Sequence, residues 1–288
     1  MGQRDAEQGS QHWMKGEGGV ALFHRVWSPL ESGAPCGQVV IAHGLGEHSG
    51  RYEHVGKFLA GHGFLVRALD HRGHGRSEGT RAHVEQFDHF VSDLERFRNF
   101  AAQEMPGPPM FVLGHSLGGA IVLAHGIDYQ RGWDGIVLSG PAVDPRHGVS
   151  KALIAVGRFA SLVAPRLGAV RLDVSKVSRD PAVVAAYIAD PLVHHGKVSA
   201  RLGAELLARS DRFRADAPKL MAPLLLQLGL ADELVDPTGA QELFPLFGSA
   251  DKTLKTYPGL AHEIYNEPEQ VTVLQDLVTW LRDHVQPR

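Results

Sequence analysis

Six short apolar, β-branched runs, at residues 38–42, 64–69, 110–113, 135–138, 223–228 and 253–257, recur along this 288-residue chain, each followed by a glycine-containing turn and a helical pattern. Helical periodicity falls at 51–61, 84–104, 117–129, 237–247 and 267–285. Runs that are apolar throughout, rather than alternating, belong to strands covered on both faces, and the intervening helices supply the cover. The expected fold is therefore α/β, with a mostly parallel central sheet flanked by helices. Segment 20–27 is expected to add antiparallel strands at one edge. The length admits one large α/β domain or two small ones. The chain has 33 glycines, about one residue in nine against a usual ~7%, so many tight turns or close backbone approaches are required.

The alternation breaks once, at 144–210, where two apolar stretches, 152–156 and 159–164, end at Pro165 and short helical pieces follow. This stretch reads as a helical cap inserted over the strand ends, with 1–143 and 211–288 forming the core. From Pro145 to Ser210 there are ten Lys/Arg and four Asp/Glu, a net charge of +6 that leaves −9 for the rest of the chain. A basic, apolar-rich cap suits peripheral contact with an anionic lipid surface. Docking of the cap on the acidic body explains the same charge separation.

The formal net charge is −3 with no Lys/Arg run, which argues against nucleic acid as a partner. Cys36 is the single cysteine, so no internal disulfide forms and a cytoplasmic setting is expected. No run approaches eighteen apolar residues, and residues 1–11 are polar without a signal peptide's apolar core; neither a membrane span nor export is expected.

Gly114-His115-Ser116-Leu117-Gly118 follows an apolar run and opens an apolar helix, the context of a G-x-S-x-G nucleophile elbow. The sharp turn requires small residues two before and two after the serine, and the helix N-terminus favours negative charge developing there. A serine hydroxyl needs a histidine base and an orienting carboxylate, in the chain order Ser, Asp or Glu, His. His262, in the turn-rich loop after the last strand, is the expected base; His284 lies in the terminal helical pattern. Asp232, just past the run at 223–228, is the preferred acid, with Glu233, Asp236 and Asp144 as rivals. His43-Gly44-Leu45-Gly46 follows the first run, so the backbone N–H groups of Leu45 and Leu117 are the expected oxyanion donors. His43 with His48, and His71 with His74, match no compact zinc spacing, and Gly73-His74-Gly75 is only a fragment of a dinucleotide fingerprint, so no metal or cofactor is implied.

These residues resemble the α/β-hydrolase superfamily and, within it, the monoacylglycerol lipases. The resemblance is carried by His43-Gly44-Leu45-Gly46-Glu47-His48-Ser49-Gly50-Arg51-Tyr52, by Asp70-His71-Arg72-Gly73-His74-Gly75-Arg76-Ser77, by the serine elbow, by Ala231-Asp232-Glu233-Leu234 and by His262. It runs from about Val20 to Leu281 and is weakest in the cap. It implies Ser116, Asp232 and His262 as a triad, an α/β-hydrolase fold with a cap carrying an acyl channel, and cleavage of monoacylglycerols to fatty acid and glycerol. It further implies that Glu47 and Arg51 read the glycerol hydroxyls. Val235 stands where mammalian members carry a cysteine, and Tyr265 where they place a second histidine near the glycerol end. A general carboxylesterase or lysophospholipase shares the same triad, and a non-catalytic ligand-binding protein shares the fold.

Overall fold

The computed structural model describes residues 9–29, 33–130, 132–145 and 150–285. Residues 1–8 of the polar start, and Arg146 of the basic stretch, lie outside the described residues. In chain order the elements are β1 (Ser10–Lys15), β2 (Ala21–Trp27), β3 (Gly37–Ala42), α1 (Glu53–Gly61), β4 (Phe64–Leu69), α2 (Asp88–Glu104), β5 (Met110–His115), α3 (Leu117–Tyr129) and β6 (Gly135–Ser139). They continue with α4 (Lys151–Val163), β7 (Gly168–Val170), α5 (Pro181–Ala189), β8 (Val198–Ser199), α6 (Ala200–Asp216), β9 (Leu224–Gly229), α7 (Pro237–Leu243), β10 (Lys252–Tyr257) and α8 (Gln270–Asp283).

Eight strands form one sheet in the order β1-β2-β4-β3-β5-β6-β9-β10. The first two pairings, β1 with β2 and β2 with β4, are antiparallel, and all others are parallel. The expected antiparallel edge at 20–27 is thus present as β2, with β1 outside it. Strands β3, β4, β5, β6 and β9 are buried at every residue. Successive side chains go to opposite faces. Val40, Met110 and Val112 pack with α2 and α3 on one face. Val39, Ile41, Phe111 and Leu113 pack with α1 and α8 on the other. Burying each such side chain contributes about 1.5–3 kcal/mol.

Register aligns the carboxyl ends of the central strands: Ala42 opposes Gly114, His115 opposes Ser139, and Ser139 opposes Gln227. The loops after β3, β5, β6, β9 and β10 therefore leave the sheet along one rim, the edge at which open α/β sheets place their sites.

Several helix boundaries differ from the expected ones for local reasons. The helix expected from 84 begins at Asp88; Val84 and Phe87 are buried from the preceding loop, which extends the apolar pattern without extending the helix. The terminal helix begins at Gln270 rather than 267, because Pro268 biases Glu267 away from helical angles. The helix expected to reach 247 stops at Leu243, and a 3-10 turn carrying Pro245 follows. The apolar stretches at 152–156 and 159–164 belong to the single helix α4 and its C-cap.

Between β6 and β9, helices α4, α5 and α6 and the two-stranded β7–β8 ribbon contribute no strand to the main sheet. Glu267 fastens this stretch to the body: its carboxylate accepts from Ser178 Oγ (2.6 Å), from the backbone N–H (2.6 Å) and Nε (2.5 Å) of Arg179, and from the Ala261 N–H (3.2 Å). Among the described residues, no helix is long and apolar enough to cross a membrane.

Candidate active site

At the end of β5 the chain turns through Ser116 at φ 52° and ψ −116°, a combination that costs a non-glycine residue strain energy of about 1–3 kcal/mol. Hydrogen bonds on both sides hold the turn. Ser116 N–H donates to Ser139 O (3.0 Å), and Ser116 O accepts from the N–H of Ala120 (3.1 Å) and Ala142 (3.0 Å). The glycine requirement is steric. A Cβ on Gly114 would lie 2.5 Å from Gly118 O, and one on Gly118 would lie 2.0 Å from Ala42 O and 2.5 Å from His43 O. The elbow is thus pressed against the end of β3, where the loop 43–46 begins.

His262 and Asp232 meet across the rim, from the loops after β10 and β9. His262 Nδ1–H donates to Asp232 Oδ2 at 2.6 Å, while Asp232 Oδ1 accepts from the N–H groups of Leu234 and Val235, both at 2.9 Å. The bond fixes the neutral tautomer, leaving Nε2 as an acceptor. Burial lowers the His262 pKa, but the Asp232 hydrogen bond and charge, with the charges of Glu263 and Glu47, outweigh it and raise the value above the ordinary 6.5. His115, beside the serine, has its ring centroid 4.6 Å from that of His262, which sets the His–Asp pair next to the elbow. Burial and then the neighbouring His262 push His115 down to about 3, so its ring is neutral at physiological pH.

Two of the rival residues have partners elsewhere: Glu233 pairs with Lys176 at 3.0 Å, and Asp236 accepts from Thr238 N–H at the start of α7; Asp144 Cβ lies 3.0 Å from where a Cβ on Gly239 would stand. His284 bonds Trp280 O and Asp251 at the end of α8.

Leu117 is the first residue of α3, so its N–H has no intrahelical acceptor. The Leu45 N–H has no protein acceptor among the described residues. Its loop lies over the serine, since a Cβ on Gly44 would be 3.2 Å from Ser116 Cβ.

Glu47 and Arg51 are committed within the protein rather than facing open space. Glu47 Oε1 accepts from Gly44 N–H (2.5 Å) and Tyr52 Oη (2.8 Å), and Glu47 Oε2 accepts from Arg51 Nη1 (2.8 Å). Arg51 also grips Glu263 with both terminal nitrogens, at 2.6 and 2.7 Å, and its guanidinium stacks 4.4 Å from the Tyr187 ring centroid. Glu263 was invisible as a site residue in the sequence; its position immediately after His262 was the available signal. Through Arg51 it links the histidine loop to the loop after β3. Tyr265 is buried and donates to Gln227 Oε1 at 2.5 Å, within the body rather than at a ligand surface.

The raised His262 pKa fixes a sign. A base must be neutral, so with His262 as the proposed base kcat/KM for an uncharged ester is expected to fall tenfold per pH unit below a single midpoint lying above 6.5. In Asp232→Asn that midpoint is expected to move down and kcat to drop by about 10⁴-fold. A pH–rate profile of both proteins checks the shift; an unmoved midpoint would assign the ionisation to another group.

The mostly parallel eight-stranded sheet, with its elbow serine following β5, defines an α/β-hydrolase fold. The family described as serine aminopeptidase, S33 matches residues 33–269. The monoacylglycerol lipase of Mycolicibacterium smegmatis is 46% identical over 96% of this chain and 98% of its own. The monoglyceride lipase of Homo sapiens is 38% identical over 91% and 87%. Among solved structures, the monoacylglycerol lipase of Paleococcus ferrophilus superposes with a TM-score of 0.82 at 32% identity, covering 91% of this chain and 99% of its own. The chain belongs to the monoacylglycerol lipase family.

Proposed function

We propose that this protein hydrolyses monoacylglycerols to fatty acid and glycerol through an acyl-enzyme on Ser116. The observation that carries the reading is the 2.6 Å His262–Asp232 pair beside the strained serine of the elbow. His262 Nε2 takes the hydroxyl proton as Ser116 Oγ attacks the ester carbonyl, and the Leu45 and Leu117 N–H groups receive the oxyanion. The same imidazolium returns the proton to the departing glycerol oxygen. A water activated by His262 then cleaves the acyl-serine. Asp232 holds the tautomer and stabilises the imidazolium. Glu47 and Arg51, which also brace the loop after β3 to the histidine loop, read the glycerol hydroxyls.

Residues 144–210 serve as the cap. A cavity of about 240 Å³ adjoins the proposed oxyanion donor Leu45 and is walled by Val174, Tyr187, Ile188 and Val198, with Arg171, His194 and His195 also lining it. Its largely apolar wall suits an acyl chain, each buried methylene contributing roughly 0.8 kcal/mol. Incubation with a long-chain monoglyceride is expected to release fatty acid and glycerol in equal amounts. A fluorophosphonate is expected to modify Ser116 and stop that release; labelling elsewhere, with release intact, would refute the nucleophile.

The cap also carries the proposed membrane contact. Along α4, Leu153, Val156, Phe159, Leu162 and Val163 are each 58–72% exposed, and the basic Arg166 and Arg171 follow. An apolar stripe edged by cations favours an anionic lipid surface. The triple variant Leu153→Ser, Phe159→Ser, Leu162→Ser is expected to lower partitioning onto anionic vesicles at least tenfold, with turnover of a soluble short ester unchanged. Flotation assays decide it, and equal partitioning of both proteins would remove the stripe from the account.

A further inference from the structure

The loop proposed to supply the Leu45 donor is held from two directions. Within the loop, Gly44 N–H donates to Glu47 Oε1 (2.5 Å), and on the body side Ser49 N–H donates to Asp70 Oδ1 (2.7 Å). The second grip comes from the segment following α5. His194 N–H donates to Gly46 O at 2.7 Å, and Asp190 Oδ2 accepts from His48 Nε2 at 2.8 Å. The tautomer of His48 is legible: Gly50 N–H donates to its Nδ1 (3.1 Å), so the proton sits on Nε2 and points at Asp190. Leu45 is thereby bracketed, Gly44 fixed by Glu47 three residues on and Gly46 fixed by His194, far away in sequence.

Asp190 controls both bridges of the second grip. It ends α5, and its Oδ1 accepts Leu192 N–H (2.8 Å) while its backbone O accepts Val193 N–H (3.3 Å) and bonds His195 Nε2 (3.0 Å). These contacts shape the turn that presents His194 to Gly46. The other carboxylate oxygen reaches His48 directly. The His48 side chain is 6% exposed and the Asp190 side chain 26%, so the bond is shielded from competing water. Gly46 itself, at φ 79°, has the Tyr187 hydroxyl and His194 O 3.5 Å from where a Cβ would stand, an ordinary packing distance that puts both groups against the loop.

We infer that Asp190 is a positioning residue for the oxyanion loop, so that the cap sets the rate of the chemical step as well as covering the acyl chain. The inference rests on the proposed esterase reading. A hydrogen-bond donor displaced by a fraction of an ångström stabilises the tetrahedral oxyanion less while leaving ground-state binding nearly intact. Loss of a whole oxyanion donor costs about 10²–10³ in kcat; loosening one is expected to cost about tenfold.

The test uses a soluble acetate ester, whose acyl group is too short to draw on the cap's apolar wall. Asp190→Ala is expected to lower kcat about tenfold with KM within twofold of the parent. Asp190→Asn retains the shape and one acceptor oxygen for two donors, so it is expected to fold as the parent does and to fall between the two in kcat. Both variants retaining parental kcat on acetate, with only KM for a long-chain monoglyceride raised, would overturn the inference and leave the cap as a substrate channel. Parent turnover of the acetate ester, lost in Ser116→Ala, tests the underlying reading separately; an inactive parent would overturn both.

Discussion

Ser116→Ala is expected to lower kcat for a monoglyceride by about 10⁶-fold, the scale on which removing the nucleophile of a serine triad acts. The substitution leaves the surroundings in place. The backbone bonds from Ser116 N–H to Ser139 O and from Ala142 N–H to Ser116 O involve no side chain. Alanine meets the same positive φ as serine, so the elbow keeps its shape. What disappears is the atom proposed to form the acyl bond. The oxyanion donors and the bound geometry persist, and together they leave a residual acceleration of roughly 10³–10⁴ over water. Unchanged thermal stability with near-complete loss of turnover separates this result from misfolding, and residual activity above about one per cent would place the nucleophile elsewhere.

Gly118→Ala is expected to act on the fold. Its new Cβ would stand 2.0 Å from Ala42 O and 2.5 Å from His43 O, both backbone atoms at the end of β3 that no side-chain rotation relieves. Either α3 moves off the sheet or β3 bends. A destabilisation of about 3 kcal/mol or more is expected, at the upper end of overpacking costs, which for a chain of this size lowers Tm by roughly 6 °C or more. Activity is expected to fall with it, because the displaced strand carries the proposed oxyanion loop. Gly157→Ala supplies the opposite sign. Gly157 lies inside α4 with nothing within 4 Å of its absent Cβ, so alanine is expected to stabilise by about 0.5–1 kcal/mol. Calorimetry of both variants checks the contrast, and a Gly118→Ala protein as stable as the parent would contradict the packing account.

The elbow was legible in the sequence because its constraints are local. Gly114 and Gly118 are required by contacts within a few residues and one neighbouring strand, and a pattern of five residues records them. The central strands were equally legible, since burial on both faces leaves an unbroken apolar run. Asp232 was less so. Glu233 and Asp236 share its loop, and only the folded chain sends one to Lys176, one to the α7 N-terminus and one to His262. The Glu47–Arg51–Glu263 linkage was not legible as an internal brace, because 212 positions separate Arg51 from its second carboxylate. A ligand-reading role and a bracing role both place charged residues beside a catalytic motif, and only the fold shows the second. The start of α2 failed for a related reason: Val84 and Phe87 are buried by tertiary packing, and apolar spacing alone does not separate a buried loop from a helix's first turn.

The measurement that tests the central claim most directly is steady-state hydrolysis of a long-chain monoglyceride beside the matching diglyceride and triglyceride, a short ester and a lysophospholipid, each repeated with Ser116→Ala. Strong preference for the monoglyceride, abolished in the variant, is the expected result. Serine-dependent cleavage of the short ester or the lysophospholipid, with little turnover of the monoglyceride, would contradict the substrate assignment while leaving the mechanism at Ser116 intact.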